Sequence, residues 1–419
     1  MSEKTLKNIP KLRFPEFLND GEWEEKKLSQ IYTFKVTNSF SRDKLNYQNG
    51  LVKNIHYGDI HTKFSTLFDI EKELVPFINQ SISLEKIKDE NYCKESDIVF
   101  ADASEDLEGV GASIEIINLN NEKLLSGLHT LLARQKKDKF IIGFGGYLFK
   151  SNKIRIQIQR EAQGAKVLGI SAIRLSNIDI NYPKNKKEQT KITDCLSSID
   201  SLISAQNQKV ELLKGHKKGL LQNLFPKNDE NIPKIRFPEF KNDGEWEEKQ
   251  LDDIVKSYSS SIALNKLQLK VKGYPVYGAD SIVGYIDEFQ HENEYISIVK
   301  DGSGVGRLNF CQSQSSILGT LTCLKSKNEK LYSLKWIYYL LNTMDFSTYI
   351  KGAGIPHIYY SDYKNENILV PKIKEQQKIA DCLTSIDEEI NLKIQKVKSL
   401  KEYKKALLQQ LFPSNEVNK

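Results

Sequence analysis

Between Glu188 and Pro226 the apolar positions fall at alternating steps of four and three: Ile192, Leu196, Ile199, Ile203, Val210, Leu213, Leu220 and Leu224. The stretch Glu375–Pro413 repeats the pattern with Ile379, Leu383, Ile386, Ile390, Val397, Leu400, Leu407 and Leu411. A period of about 3.5 residues held this long predicts a helix with a narrow seam, the signature of a coiled coil. Polar residues interrupt both seams at the same two steps, Gln206/Lys393 and Lys217/Lys404. Such interruptions fix register at some cost in stability. Pro183 and Pro371 precede the helices, and Pro226 and Pro413 stop them, because proline cannot continue the hydrogen-bond ladder.

The two stretches are copies, identical at 24 of 39 positions. An earlier segment is copied more closely: "NIPKLRFPEFLNDGEWEEKKL" from Asn8 returns as "NIPKIRFPEFKNDGEWEEKQL" from Asn231, with three differences in 21 positions. The chain thus reads as opening segment, variable region and helix, then all three again. The boundaries that follow are 1–183 for a first head with its opening segment, 184–226 for a first helix, 227–371 for a second head and 372–419 for a second helix. A narrow apolar seam needs a partner, and the other copy is the nearest one. Since the ends of a domain usually lie close together, the second head brings the end of helix one beside the start of helix two. The pair is therefore expected to be antiparallel, a rod of about 57 Å at ~1.5 Å per residue, with a head at each end and a pseudo-twofold axis across it.

Both heads read as mixed α/β, which makes the expected fold class α/β (α+β). In the first, "LVKNIHYGDI", "SDIVFADASED" and "GASIEII" read as strands between turn signals; in the second, "GYPVYGADSIVGYIDEF" and "EYISIVKDGSGVGRLNF" read as strand–turn–strand. "LKWIYYLLNTMDFSTYI" has helical spacing and is expected to bury Trp336 and Leu340. Each head closes with a glycine-containing loop and a strand running into proline.

Charge changes this picture little. The chain carries a net charge of +6 over 419 residues, but residues 22–183 hold 22 basic and 22 acidic side chains, and 245–371 hold 13 and 15. Heads so balanced would meet a polyanion with a sorted face, not with bulk charge. No run of eighteen apolar residues predicts a membrane span, and the polar start carries no secretory signal. Five scattered cysteines without a CxxC pair argue against zinc and disulfides, so a cytoplasmic location is expected. "DGSGVG" (Asp301–Gly306) lacks the spacing of a nucleotide loop and is read as a hairpin turn. "DGEWEEK" resembles the acidic-ExK pattern of some nucleases, but solvated charges around a packing tryptophan (Trp23, Trp246) explain it better. The six histidines lack metal-ligand spacing, and without any Pro-Pro pair there is no amino-methyltransferase motif. The chain is read as non-catalytic, with no metal site.

The duplicated opening segment, the two divergent regions and the paired "EQ.KI…ID…LLQ.LFP" helices resemble the specificity subunit of type I restriction-modification systems. "DIVFADASED", "SGLHTLLAR", "YPVYGADSIVGYI" and "KGAGIPHI" are similar to target-recognition phrases of that family. The first head lacks the "YGADSIVGYID" style of the second, so the heads are taken as different subtypes. The resemblance implies two target-recognition domains held apart by an antiparallel helix pair. It implies double-stranded DNA as ligand, and as partners methyltransferase subunits, two of them, and through the complex the restriction/translocase subunits. S-adenosylmethionine, ATP and Mg would belong to those subunits, with no cofactor on this chain. The expected site is bipartite and asymmetric. Polar groups beside glycines, where backbone approaches DNA, are the candidate readers: His56, Tyr57, Ser104, Lys166 and Ser171 in the first head, Tyr277, Ser281, Ser303, Arg307, His357 and Tyr359 in the second. The rival readings are a coiled-coil scaffold with no nucleic-acid role and a fused nuclease or methyltransferase.

Overall fold

In each copy the opening segment ends in a strand that pairs antiparallel with the last strand of its head. Glu24–Lys27 pairs with Asp179–Tyr182, and Glu247–Gln250 pairs with Asn367–Val370. The chain therefore enters and leaves each head side by side, and the following proline turns it straight into a long helix. The structure is a computed structural model that describes residues 8–227, 230–352 and 354–414. It divides into two compact units, Met1–Gln206 with Lys396–Lys419, and Asn207–Gln395.

The central sheet of the first unit runs Tyr32–Lys35, Thr130–Gln135, Ile98–Ala101, Ser113–Asn118, Leu67–Asp69. That of the second runs Val255–Ser259, Leu321–Ser326, Tyr295–Val299, Leu308–Cys311. The first four strands correspond one to one; the first unit adds a fifth, parallel to its neighbour. Ile98–Ala101 and Tyr295–Val299 are buried at every residue, so neither alternates with solvent-facing polar residues; the second is interrupted only by the buried Ser297. Each unit also has a smaller sheet built on one parallel pair, Lys53–Ile55 with Leu124–Ser126 and Tyr274–Tyr277 with Ser316–Ile317. Heads of unlike sequence thus share one topology.

Two expectations need correction. "LVKNIHYGDI" is strand only over Lys53–Ile55; Tyr57–Thr62 is a helix, because the His56 side chain accepts from the Gly58 amide and caps it. The helix around Trp336 is shorter than its spacing implied, Leu334–Leu341. The Asp345 carboxylate then takes the Ser347 amide and starts a separate turn, Phe346–Tyr349. Trp336 and Leu340 are buried.

The long helices span Lys186–Leu224 and Ile373–Gln410, and none of their seam positions is exposed. In the first unit Ile192 and Leu196 share a core with Leu407 and Leu411. One turn further along the first helix, Asp200 takes Lys404, which lies earlier on the second (2.5 Å). The directions are therefore opposed. The second unit repeats the arrangement: Leu224 shares a core with Ile379 and Leu383, while Lys217 reaches Asp387 at 2.6 Å. A seam lysine thus meets an aspartate off the seam of the other helix. A head tyrosine completes each group, Tyr147 donating to Asp200 (2.8 Å) and Tyr339 to Asp387 (2.9 Å). Register is set by ion pairs that also tie the helices to their heads.

One buried carboxyl gives the first unit a pH response. Glu115 accepts the Gly143 amide at 2.7 Å and the Gly146 amide at 2.6 Å, yet burial outweighs these bonds and raises its pKa to about 7. An exposed glutamate releases its proton near 4.5, so between those values the unfolded chain binds fewer protons than the folded one. The contribution of Glu115 to stability is full below about pH 4.5, falls as pH rises to about 7 and is flat above, a loss of about 3 kcal/mol. Urea unfolding followed from about pH 5 to about pH 8 should show this decline in the wild type and not in E115Q. An equal decline in both would rule out Glu115 as its source.

Candidate nucleic-acid interface

The repeated opening segment acts as a clamp on two helix ends at once. Arg13 makes a two-pronged ion pair with Glu188 at the start of the first long helix (2.7 and 2.8 Å), while the Leu12 amide donates to the Gln410 carbonyl at the end of the second (2.9 Å). In the second unit Arg236 holds Glu375 (2.8 Å on both prongs) and the Ile235 amide donates to the Asn223 carbonyl (2.9 Å). The next residue of each helix fastens the head. Gln189 accepts from the Ile141 amide and donates to the carbonyls of Lys139 and Pro183. Gln376 does the same with Ser333, Leu331 and Pro371. Phe412 packs edge-on against Trp23, as Phe225 does against Trp246. These groups were missed from sequence as functional; the only signal was the recurrence of "EQ", "LFP" and the opening segment.

With the head fixed, its loops are displayed. In the first unit the rings of His56 and Tyr57 lie tilted against each other at 4.7 Å, and Tyr57 meets His129 edge-on at 5.3 Å. Ser104 lies on the strand Ala103–Ser104, which pairs with Leu168–Gly169 and so brings the loop of exposed Lys166 alongside. Ser171 is already engaged: its hydroxyl caps the helix Ala172–Ser176 through the Arg174 amide. Arg42 and Lys63 both pair with buried Asp59 (2.7 and 3.0 Å) and hold it below the usual carboxylate range despite burial. Burial first, then Arg42, lowers the His56 pKa. Since its Nδ1 accepts from Gly58, neutral His56 carries its proton on Nε2 and offers a donor. Arg42, His61 and His129 belong to this cluster and were not among the candidates.

In the second unit three loops converge. Gly278 closes the turn that carries Ser281, its amide donating to the Ser281 carbonyl (2.9 Å). "DGSGVG" forms the hairpin turn between Tyr295–Val299 and Leu308–Cys311, with Gly302 and Gly306 at positive φ. Arg307 at its end pairs with Asp280 of the first loop. The third loop docks through the Gly302 amide on the Pro356 carbonyl (2.9 Å) and a bridge between Asp301 and His357. Tyr277, Ser281, Ser303, Arg307, His357 and Tyr359 are thereby gathered from segments up to about eighty residues apart in sequence. The His357 and Tyr359 rings lie 5.3 Å apart, and the Tyr277 hydroxyl accepts from the Gln312 amide (3.3 Å).

Two heads of one topology, unlike in their loops and each clamped to paired antiparallel helices, define a two-headed recognition protein. The chain belongs to the type I restriction modification DNA specificity domain family, whose profile matches residues 20–214 and 243–402. It is a specificity subunit with two DNA-recognition domains. It is 26% identical over 429 aligned residues to a Methanocaldococcus jannaschii protein assigned as the type I restriction enzyme MjaX specificity subunit, covering 97% of this chain and 96% of that one. Its fold is similar to the S subunit of the type I restriction-modification system of M. genitalium (TM-score 0.63, 16% identity, 97% and 99% of the two chains covered). It is also similar to a chain from a structure of type I R-M complex assembly and conformational transition (TM-score 0.55, 14% identity, 94% and 98% covered). Among the described residues no helix is long and apolar enough to cross a membrane.

Proposed function

We propose that each head reads one half of a bipartite, asymmetric DNA site in the cytoplasm, and that the helix pair spaces the heads and docks two methyltransferase subunits. Those subunits would bring S-adenosylmethionine, and the restriction/translocase subunits ATP and Mg; this chain positions DNA and performs no chemistry. The observation that carries the reading is that topology is common to the two heads while their loop residues differ. Equal frames place equivalent loops on each half-site, and unequal side chains then select unequal base edges. With near-neutral heads, much of the phosphate attraction falls to the partner subunits.

The test is to express the chain with methyltransferase subunits in a host lacking other adenine methylation and to map the modified adenines. The expected result is one split, non-palindromic motif, and no methylation by the purified chain alone. A palindromic motif would count against two dissimilar readers. Stoichiometric binding of S-adenosylmethionine by the isolated chain would revive the fused-enzyme alternative, and absence of DNA binding by the assembled complex the scaffold alternative.

A further inference from the structure

A loop of the same construction closes each head. Gln163 and Gly169 exchange backbone hydrogen bonds (2.9 and 2.7 Å), as do Lys351 and His357 (2.9 and 2.8 Å). Each pair encloses five residues. The first enclosed residue is a glycine at positive φ, Gly164 (+128°) and Gly352 (+91°). A Cβ there would strike the carbonyl of the fourth enclosed residue, Val167 or Ile355, so only glycine lets the loop close. The residue after each pair is buried and anchored at the end of a central strand. The Ile170 amide donates to the Asp102 carbonyl and the Ile358 amide to the Lys300 carbonyl, both at 2.8 Å. What these braced loops display is a β-branched apolar side chain, Val167 at 58% exposure and Ile355 at 71%.

An isolated exposed apolar residue needs no explanation. A β-branched apolar residue at the same step of the same loop, in heads whose sequences have otherwise largely diverged, calls for one. A feature common to both readers cannot encode the difference between half-sites, so it serves something both half-sites require. The side chain has no hydrogen-bonding atom, is stiff about χ1, and stands among the loops that gather the candidate readers. We propose that Val167 and Ile355 are wedges that enter the base stack of their respective half-sites in double-stranded DNA. An apolar wedge partly unstacks a base step and kinks the duplex, and a methyltransferase must extrude its target base before it reacts. The wedge would lower the cost of that extrusion. This rests on the DNA-reading function proposed above.

The experiment uses the assembled complex and duplexes of the mapped site carrying 2-aminopurine at successive steps of one half-site. Binding of the wild type should raise the fluorescence in both half-sites. V167S should abolish the rise in the first half-site only, and I355S in the second only, with the methylated motif unchanged. Each should weaken binding about tenfold, and an abasic position in the affected half-site should restore it. Both side chains are exposed, so folding is not at risk, and I355V should behave as wild type. Unchanged fluorescence and affinity in V167S and I355S would overturn the proposal, as would a changed motif, which would make them base readers. If the wild-type complex fails to bind DNA, the DNA-reading function falls first and this inference with it.

Discussion

Glu188→Ala is expected to destabilise the first unit by about 3–5 kcal/mol, the range for removing one partner of a buried ion pair. Both side chains are almost completely buried, at 4% exposure for Arg13 and 1% for Glu188. The glutamate also takes the Trp23 indole N–H (3.2 Å). Its loss leaves a largely buried guanidinium without its main counter-charge, with the Gly21 carbonyl to accept from it and Asp20 nearby. The opening segment would then release its head. Denaturant unfolding of E188A against wild type measures the cost, and hydrogen exchange should place it in the first head. R13M combined with E188M separates charge from packing: with neither charge left, stability should recover most of the loss. E375A should behave alike in the second unit, where Arg236 is the stranded group. A cost for E188A below about 1 kcal/mol, the scale of a surface pair, would mean that Arg13–Glu188 is not the clamp described.

Exchanging residues 29–180 for the corresponding part of another specificity subunit is expected to replace one half of the methylated motif and leave the other half intact. The exchange points lie in Leu28–Ile31, directly after the first strand of the pair that joins the head's two ends, and in Asp179–Tyr182, its second strand. Arg13, Glu188 and Gln189 remain in place, so the new head meets the same clamp. Two wrong base pairs at about 1–3 kcal/mol each should lower affinity for the original site by roughly a hundredfold or more. Motif mapping before and after the exchange reads the outcome. A motif altered in both halves, or in neither, would refute the assignment of one head to one half-site.

The elements easiest to read from sequence were those whose signal is local. The seam from Ile192 to Leu224 repeats every half-heptad, and the strands flanking "DGSGVG" are marked by their own glycines. "LVKNIHYGDI" misled because a capping histidine contributes nothing to apolar periodicity. The divergence of the two heads also hid their common sheet order, since packing of the apolar positions in Ile98–Ala101 and Tyr295–Val299 tolerates different residues of suitable size. Among the candidate readers, those of the second head do come together, whereas Ser171 proves to be occupied as a helix cap.

By itself the sequence determined that one unit is used twice, that each use ends in a long seamed helix, and that the heads differ. Repetition and periodicity are properties of the chain, and a single strand of letters carries them in full. Tertiary structure alone decided why the opening segment recurs, which aspartate each seam lysine finds, and which loops share a surface. Those are contacts between groups far apart in the chain, such as Asp200 with Lys404 and Leu12 with Gln410. Which distant partners meet depends on how the intervening chain folds back, and no local pattern encodes that.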